Sequence, residues 1–323
     1  MQNQNCSFNI DNYDIREKLR SRTLEYKKVI AVDRRTNKEV DIITYKQEQD
    51  DREMVFINIR RGLVYNNVYI SQFLNLPGIV KLIEYRLPLA KEDPNLEKKG
   101  VNFSGFVAVF EHMKYSDLSI NLPRSLPTQE INSTVISKMI FGIAAIMKQI
   151  HYHNICLQNL SLDSICLDDN LEPHITNFGS AHFVFTEDDI NKEPSQYFPE
   201  EYCFSRSKFA KDIYSFGSLI LKMFVPRRGQ SNFQFIRILE GASLPSSIPD
   251  AYSELIRKCT DKKIEQLPSF VEITKLLRDD KYVFDRSTDL EALHEYQNRI
   301  DDQKITDIET EIYDYHESRL MYT

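Results

Sequence analysis

Between Lys148 and Gly179 the sequence gathers His151, His153, Cys156, Asp163 and Asp168, side chains able to move protons, hold a metal or attack an electrophile. A thiol close to two histidines has the make-up of a cysteine nucleophile with its base. Two histidines could begin a zinc site. Neither reading finds its complement. No second ligand set stands at metal-binding spacing, so no metal is expected. The five cysteines, Cys6, Cys156, Cys166, Cys203 and Cys259, are scattered and form no CxxC pair. An odd, scattered set fits reduced thiols and a cytoplasmic setting rather than a disulfide framework. The run His151-Tyr152-His153-Asn154 closes an apolar helix, which accounts for both histidines. Asp163 and Asp168 are expected in solvent, on a loop and a hairpin turn.

The elements that must position this stretch follow from periodicity and turn chemistry. Residues 130–151 read as an amphipathic helix, with Ile136, Met139, Ile140, Ile143, Ile146 and Met147 on one side. A tight loop, Leu157 to Ser164, comes next. A short hairpin then pairs Ile165-Cys166-Leu167 with His174-Ile175-Thr176 across Asp168-Asp169-Asn170. The stretch closes on Asn177-Phe178-Gly179. Nearer the N-terminus, YDIREKL, YKKVIAVD and EVDIITYK read as three strands with a turn at Arg34–Lys38. Residues 50–75 read as a helix, 91–99 (KEDPNLEKK) as a surface loop, and Phe106 to Met113 as a further strand. Residues 1–12 read as a disordered lead-in, too polar and acidic for a signal peptide. The longest apolar run, Met139 to Met147, falls short of the roughly 20 residues that span a bilayer. The chain has 323 residues, 41% hydrophobic and 28% charged, with a net charge of −7. That suits a sizeable core and argues against nucleic acid or an anionic membrane as partner.

Order and landmarks together resemble the protein-kinase superfamily, of the serine/threonine and tyrosine-kinase-like type. Leu76-Pro77-Gly78-Ile79-Val80-Lys81-Leu82 resembles H-P-x-I-V-x-L. Asp212-Ile213-Tyr214-Ser215-Phe216-Gly217 resembles the start of the buried central C-lobe helix. Ile248-Pro249 through Leu277 resembles the final helices. The resemblance implies an α+β, bilobal fold: a small antiparallel β-rich N-lobe with one helix, and a larger, mostly helical C-lobe. It implies an N-lobe over 13–111, a hinge over 111–118 and a C-lobe over 119–278, with a C-terminal helical extension over 279–323. Leu290, Leu293, Ile300, Ile305, Ile308 and Ile312 mark one or two amphipathic helices there, packing on the C-lobe or docking a partner.

The charged groups of that family are missing at the matching positions. The glycine-rich loop falls on Arg20 to Tyr26, yet every glycine lies at Gly62 or later. Without glycine, backbone approaches phosphate poorly; Arg20 and Arg22 read as a solvated basic turn, the lesser alternative being phosphate held by their side chains. The strand motif VAIK falls on Val40-Asp41-Ile42-Ile43, placing Ile43 at the lysine and Asp41 at the alanine that packs on adenine. A rival register keeps a lysine at Lys46. The glutamate that pairs that lysine falls on Asn67. The catalytic loop triplet reads Leu157-Gln158-Asn159, the loop lysine Ser161, the metal-binding asparagine Ser164, and the metal-binding aspartate Asn177. Phe110 takes the gatekeeper place, and Glu111 and Met113 the hinge side of the cleft. Leu82, Leu157, Phe178 and Gly179 are expected to keep the apolar frame. Asp212 is expected to accept hydrogen bonds from the loop backbone. The A-P-E glutamate is Glu200, whose usual arginine partner reads Leu267; Glu200 then pairs with Arg206 or Lys208, or stays in water.

The resemblance therefore implies a degenerate member, a pseudokinase. It would act as an allosteric partner or scaffold in signalling, contacting proteins that could include an active kinase. ATP and Mg²⁺ are not expected as cofactors. The alternative is an active or weakly active ATP-dependent protein kinase, working through Lys46 and a displaced carboxylate such as Asp163 or Asp168. Thr186, Ser195 and Tyr197 are candidate phosphorylation sites in the activation-loop segment.

Overall fold

A computed structural model describes residues 8–19, 26–45, 66–74, 76–87, 89, 93–115, 118–121, 127–185, 198–203, 205, 207–225, 238–239, 241 and 243–301. Lys46, Arg20, Arg22, Arg206, Thr186, Ser195, Tyr197, Ile305, Ile308 and Ile312 lie outside them. The chain forms two compact units. One holds residues 1–75 and 80–114; the other holds 76–79 and 115–323.

The first unit is built on a five-stranded antiparallel sheet in the order β1-β2-β3-β7-β4. β1 is Tyr13–Leu19, β2 Tyr26–Asp33, β3 Lys38–Tyr45, β4 Leu82–Arg86 and β7 Phe106–Glu111. β2 and β3 pair from Asp33↔Lys38 to Tyr26↔Tyr45. Their turn closes on Asn37, whose φ of 57° is the left-handed value that asparagine tolerates better than most residues. Side chains alternate along a strand. Val29, Ala31, Val40, Ile42, Val107 and Val109 thus share one buried face.

That face is closed by residues ahead of Tyr13, which corrects the disordered lead-in for its last five positions. Phe8 and Ile10 are buried, and Phe8 stacks on Tyr13 at 5.5 Å. Two apolar side chains in a polar segment suffice to seat it. The stretch 91–99 is also more than a loop, as far as it is described. Pro94–Leu96 form a 3-10 turn, then β5 (Glu97–Lys98) and β6 (Val101–Asn102) pair as a hairpin. Lys99 and Gly100 both take positive φ, 51° and 72°, the requirement of a tight two-residue hairpin turn. Val101 and Phe103 deliver its apolar side to the core. Of the helix expected over 50–75, residues 66–73 are helical (α1) and the part before 66 lies outside the described residues.

The second unit is mostly helical. α2 is Leu118–Asn121, α3 Ser133–Tyr152, α4 Glu200–Cys203, α5 Ala210–Phe224, α6 Asp250–Cys259, α7 Phe270–Leu276 and α8 Leu290–Asp301. α3 starts where Asn132 Oδ1 accepts the Val135 N–H, and nearly all of its middle is buried. Its length and apolarity would suit a membrane span, but it is a mostly buried core helix. Leu76–Ile79 belongs to this unit although the resemblance placed it in the other. Gly78 explains why: its φ is +79°, a Cβ there would run into Ile146 of α3, and its carbonyl accepts Ile175 N–H at 2.7 Å.

The hairpin after the loop pairs β9 (Ile165–Leu167) with β10 (Pro173–Ile175), one residue earlier on the second strand than expected. The connection is thereby five residues, 168–172, closed by Asp168 Oδ1, which accepts both Asn170 N–H and Glu172 N–H, and by Leu171 at a φ of 60°. β8 (Ile155–Cys156) pairs with β11 (His182–Phe183). Beyond residue 278 the chain turns through Tyr282 and Phe284, both buried, into α8. α8 lies on α3, with Leu293, Tyr296 and Gln297 buried. For residues up to 301 this is the packing alternative of the two considered for the extension.

Candidate functional site

The loop 157–164 is positioned from below by Asp212 in the first turn of α5. Asp212 is fully buried. Its Oδ2 accepts Leu157 N–H at 2.8 Å and its Oδ1 accepts Gln158 N–H at 2.7 Å. His151 Nε2 donates to Oδ2 at 3.0 Å, and the imidazole stacks on Phe209 with centroids 3.8 Å apart. The two backbone bonds match the sequence expectation; the histidine's part in them does not follow from the motif. Gln158 sits at φ 56°, a left-handed value costly for a glutamine, so Asp212 holds a strained turn in place. His151 is therefore occupied. Cys156 is buried, and burial, with the nearby Asp212 carboxylate, pushes its thiol well above the ordinary range. A protonated, enclosed thiol is no nucleophile.

Of the polar positions of the loop, Asp163 is exposed and the others are neutral. Ser164 is fully buried, and its Oγ accepts Ser161 N–H at 3.0 Å while donating to Ser161 O at 2.9 Å. The hydroxyl's one proton and one of its lone pairs thus close the loop. Ser164→Ala should cost about 1 kcal/mol, as for loss of a helix cap, read as a shift in urea midpoint. A shift indistinguishable from zero would mean that the hydroxyl is not what closes the turn. Asn159 and Ser161 are half-buried. Asn177 is exposed at φ 64°, a value asparagine reaches more easily than most. Leu157 and Phe178 are almost fully buried and Gly179 is buried, so the apolar frame is kept in this unit. Leu82, at the start of β4 in the other unit, is buried as well. Among the described residues no cluster of three histidine, cysteine, aspartate or glutamate side chains could hold a metal.

Among the described residues, the segment after the activation loop is anchored without an ion pair at Glu200. That residue is exposed, and no salt bridge to it is recorded among the described residues. Lys208 Nζ instead donates to Phe185 O at 3.0 Å. Tyr202, two residues on, is buried and its hydroxyl donates to Asp261 O at 2.6 Å, with Cys259 O at 3.4 Å. Leu267 at the arginine place is half-buried. A phenol does the anchoring that a charge pair does in the resemblance.

In the sheet unit, the β3 register is unambiguous. Asp41 lies opposite Phe110 of β7, and Ile43 opposite Ala108 and, on the other side, Lys28 of β2. Alternation puts Asp41 and Ile43 on the face away from Val40 and Ile42. Asp41 is only 4% exposed. Its Oδ2 takes Lys28 Nζ at 2.8 Å and its Oδ1 takes His112 Nδ1 at 2.8 Å. The position expected to pack on an adenine ring is instead the centre of a compact charge cluster. Sequence reasoning missed Lys28 and His112. The turn that pairs Asp33 with Lys38 could have revealed Lys28, because the same register sets it against Ile43. Phe110 and Met113 are buried. Glu111 is tied to the residue just ahead of β4: its N–H donates to Lys81 O at 3.0 Å and its carboxylate accepts Lys81 N–H at 2.7 Å. Asn67 is half-buried in α1.

Known proteins agree with this architecture. The protein tyrosine and serine/threonine kinase family matches residues 95–277. Relatives include a protein named probable serine/threonine-protein kinase kinY, from Dictyostelium discoideum, 25% identical over 75% of this chain and 43% of its own length. Tyrosine-protein kinase SRK2 of Spongilla lacustris is 25% identical over 42% of this chain and 41% of its own. Interleukin-1 receptor-associated kinase 3 of Mus musculus is 28% identical over 36% of this chain and 21% of its own. The chain thus spans less than half the length of each of these relatives. The family match covers more than half of the chain, and its span takes in the Asp212-held loop and every helix from α2 to α7: the chain belongs to the protein tyrosine and serine/threonine kinase family.

Proposed function

We propose that this chain is a catalytically silent kinase-family protein, acting through contact with protein partners in the cytoplasm. The observation that carries the reading is the buried Lys28–Asp41–His112 cluster. A base packed against it would strip the remaining water from two cations already engaged by Asp41, for no new hydrogen bond. The groups for metal and proton transfer point the same way. Asn177 offers a neutral amide to a hard cation that prefers carboxylate oxygen, and the Ser164 hydroxyl is buried and engaged with the Ser161 backbone. Asn159 takes up no proton near neutral pH, and loss of a general base alone costs about 10²–10⁴ in rate. These residues do not fit Mg-ATP held in the family's manner. The charge is removed while the frame that folds the domain persists, which suits a binding surface. A partner that is itself an active kinase is one case of it.

A second reading has one observation in its favour. Lys28 stands opposite Ile43, so a lysine is present on that face of the sheet, though its amine is engaged by Asp41. Calorimetric titration with ATP, with and without Mg²⁺, separates the readings. The silent-protein reading expects no binding heat dependent on Mg²⁺ and no phosphoryl transfer to a generic peptide pool. Mg²⁺-dependent binding together with transfer that Lys28→Ala abolishes would replace it with a weak kinase.

A further inference from the structure

His112 is the first residue beyond β7, on the stretch by which the chain leaves the sheet unit. Two carboxylates of β3 hold its ring. Nδ1 is 2.8 Å from Asp41 Oδ1, and Nε2 is 3.9 Å from Glu39 Oε2. Lys28 of β2 takes the other oxygen of Asp41 at 2.8 Å. The His112 side chain is 23% exposed, that of Asp41 6%, that of Lys28 18% and that of Glu39 58%. These are the charged groups facing the ring from β2 and β3; on its own stretch, Glu111 is turned to Lys81 N–H. With an imidazolium, two carboxylates face two cations. With a neutral imidazole, the same two carboxylates share Lys28 alone, and one ring nitrogen turns a lone pair toward Glu39.

We propose that His112 is a proton-operated clasp: charged, it fastens the stretch after β7 to β3; neutral, it lets that stretch loosen. The clasp is a property of the sheet unit and holds whether or not the protein turns over nucleotide. The sign follows from linkage. The hydrogen bond to Asp41 holds His112 protonated above the ordinary histidine range, with burial opposing it. A group whose folded value is raised lends stability that is complete below the unfolded value of about 6.5 and is lost as pH rises through the folded one. The imidazole is the side chain whose charge changes in that window.

The test is hydrogen exchange on the full chain, as a protection factor corrected for intrinsic rate, for the amide of Glu111, which donates to Lys81 O beside His112. Amides in the middle of α3 serve as the internal reference. Between about pH 5.5 and pH 8 this amide should lose about five- to tenfold in protection relative to α3. His112→Gln should start low and show no pH response. Glu39→Gln, at a mostly exposed position, leaves the fold intact and should reduce the response and move its midpoint to lower pH. Protection unchanged within about twofold in the parent, or a full response surviving in both variants, overturns the clasp.

Discussion

Asp212→Ala is expected to lower stability by about 3–5 kcal/mol. The carboxylate is fully buried and satisfies three donors: Leu157 N–H, Gln158 N–H and His151 Nε2. Alanine leaves all three without water to replace it, and each buried orphan costs about 1–3 kcal/mol. Gln158 would also lose what holds it at φ 56°. Domains of this class have about 5–15 kcal/mol to lose, so the variant should be near the edge of folding. Urea denaturation followed by circular dichroism reads the loss directly. Asp212→Asn separates charge from shape: its amide oxygen can accept one N–H while its NH₂ faces another donor, so most of the cost should remain. A loss below about 1 kcal/mol for alanine would mean that the loop is held by its apolar frame and not by this carboxylate.

Tyr296→Ala should cost about 3–5 kcal/mol and set α8 free, as for other buried aromatic truncations. The ring sits on α3 where Gly142 leaves room. A Cβ at residue 142 would collide with the Tyr296 hydroxyl and with Pro173. Phe141 meets the ring edge-on at 6.3 Å, and Lys138 and Arg299 lie over it at 5.8 and 5.2 Å. Around it, Gln297 Nε2 donates to Leu277 O at 3.1 Å, Arg278 reaches Asn298 and Gln297 O, and Arg299 pairs with Glu172. The exposed contacts among these, Arg278 to Asn298 and Arg299 to Glu172, are worth little once the ring is gone, and the buried Gln297 bond alone does not hold the helix. Exchange protection over 290–301 should therefore fall with the global stability. Tyr296→Phe, which keeps the ring, should come within about 1 kcal/mol of the parent. If Tyr296→Ala behaves like the phenylalanine variant, α8 is a surface attachment and the core ends before it.

Much of the fold could be read from local pattern. The turn at Asn37, the period-2 strands around it and the apolar stripe of α3 each carry their own signal. The kinase landmarks then placed Asp212 under the loop. What escaped reading was set by contacts distant in sequence or by single backbone angles. The charge cluster joins Lys28, Asp41 and His112 across three strands, and only their common register brings them together. Gly142 in a helical pattern reads as a weak position; its purpose appears when Tyr296 arrives from the C-terminal helix. The β9–β10 pairing moved by one residue because Leu171 adopts an angle no propensity favours. Phe8 and Ile10 were hidden by polar neighbours, since a window average dilutes two apolar side chains. For the candidate site, residue identities showed which charges were missing. They could not show that Ser164 is spent within its own loop.

The hydroxyl of Tyr202 fastens α4 to the carbonyls of Cys259 and Asp261 from a buried position. A solvent-exposed charge pair in that role would weaken as counterions accumulate within a screening length of about 8–10 Å. A phenol-to-carbonyl bond carries no net charge to screen, and burial keeps the phenol protonated well beyond its ordinary range. The grip on this part of the chain is accordingly blind to ionic strength, and to any alkalinity a cell would experience.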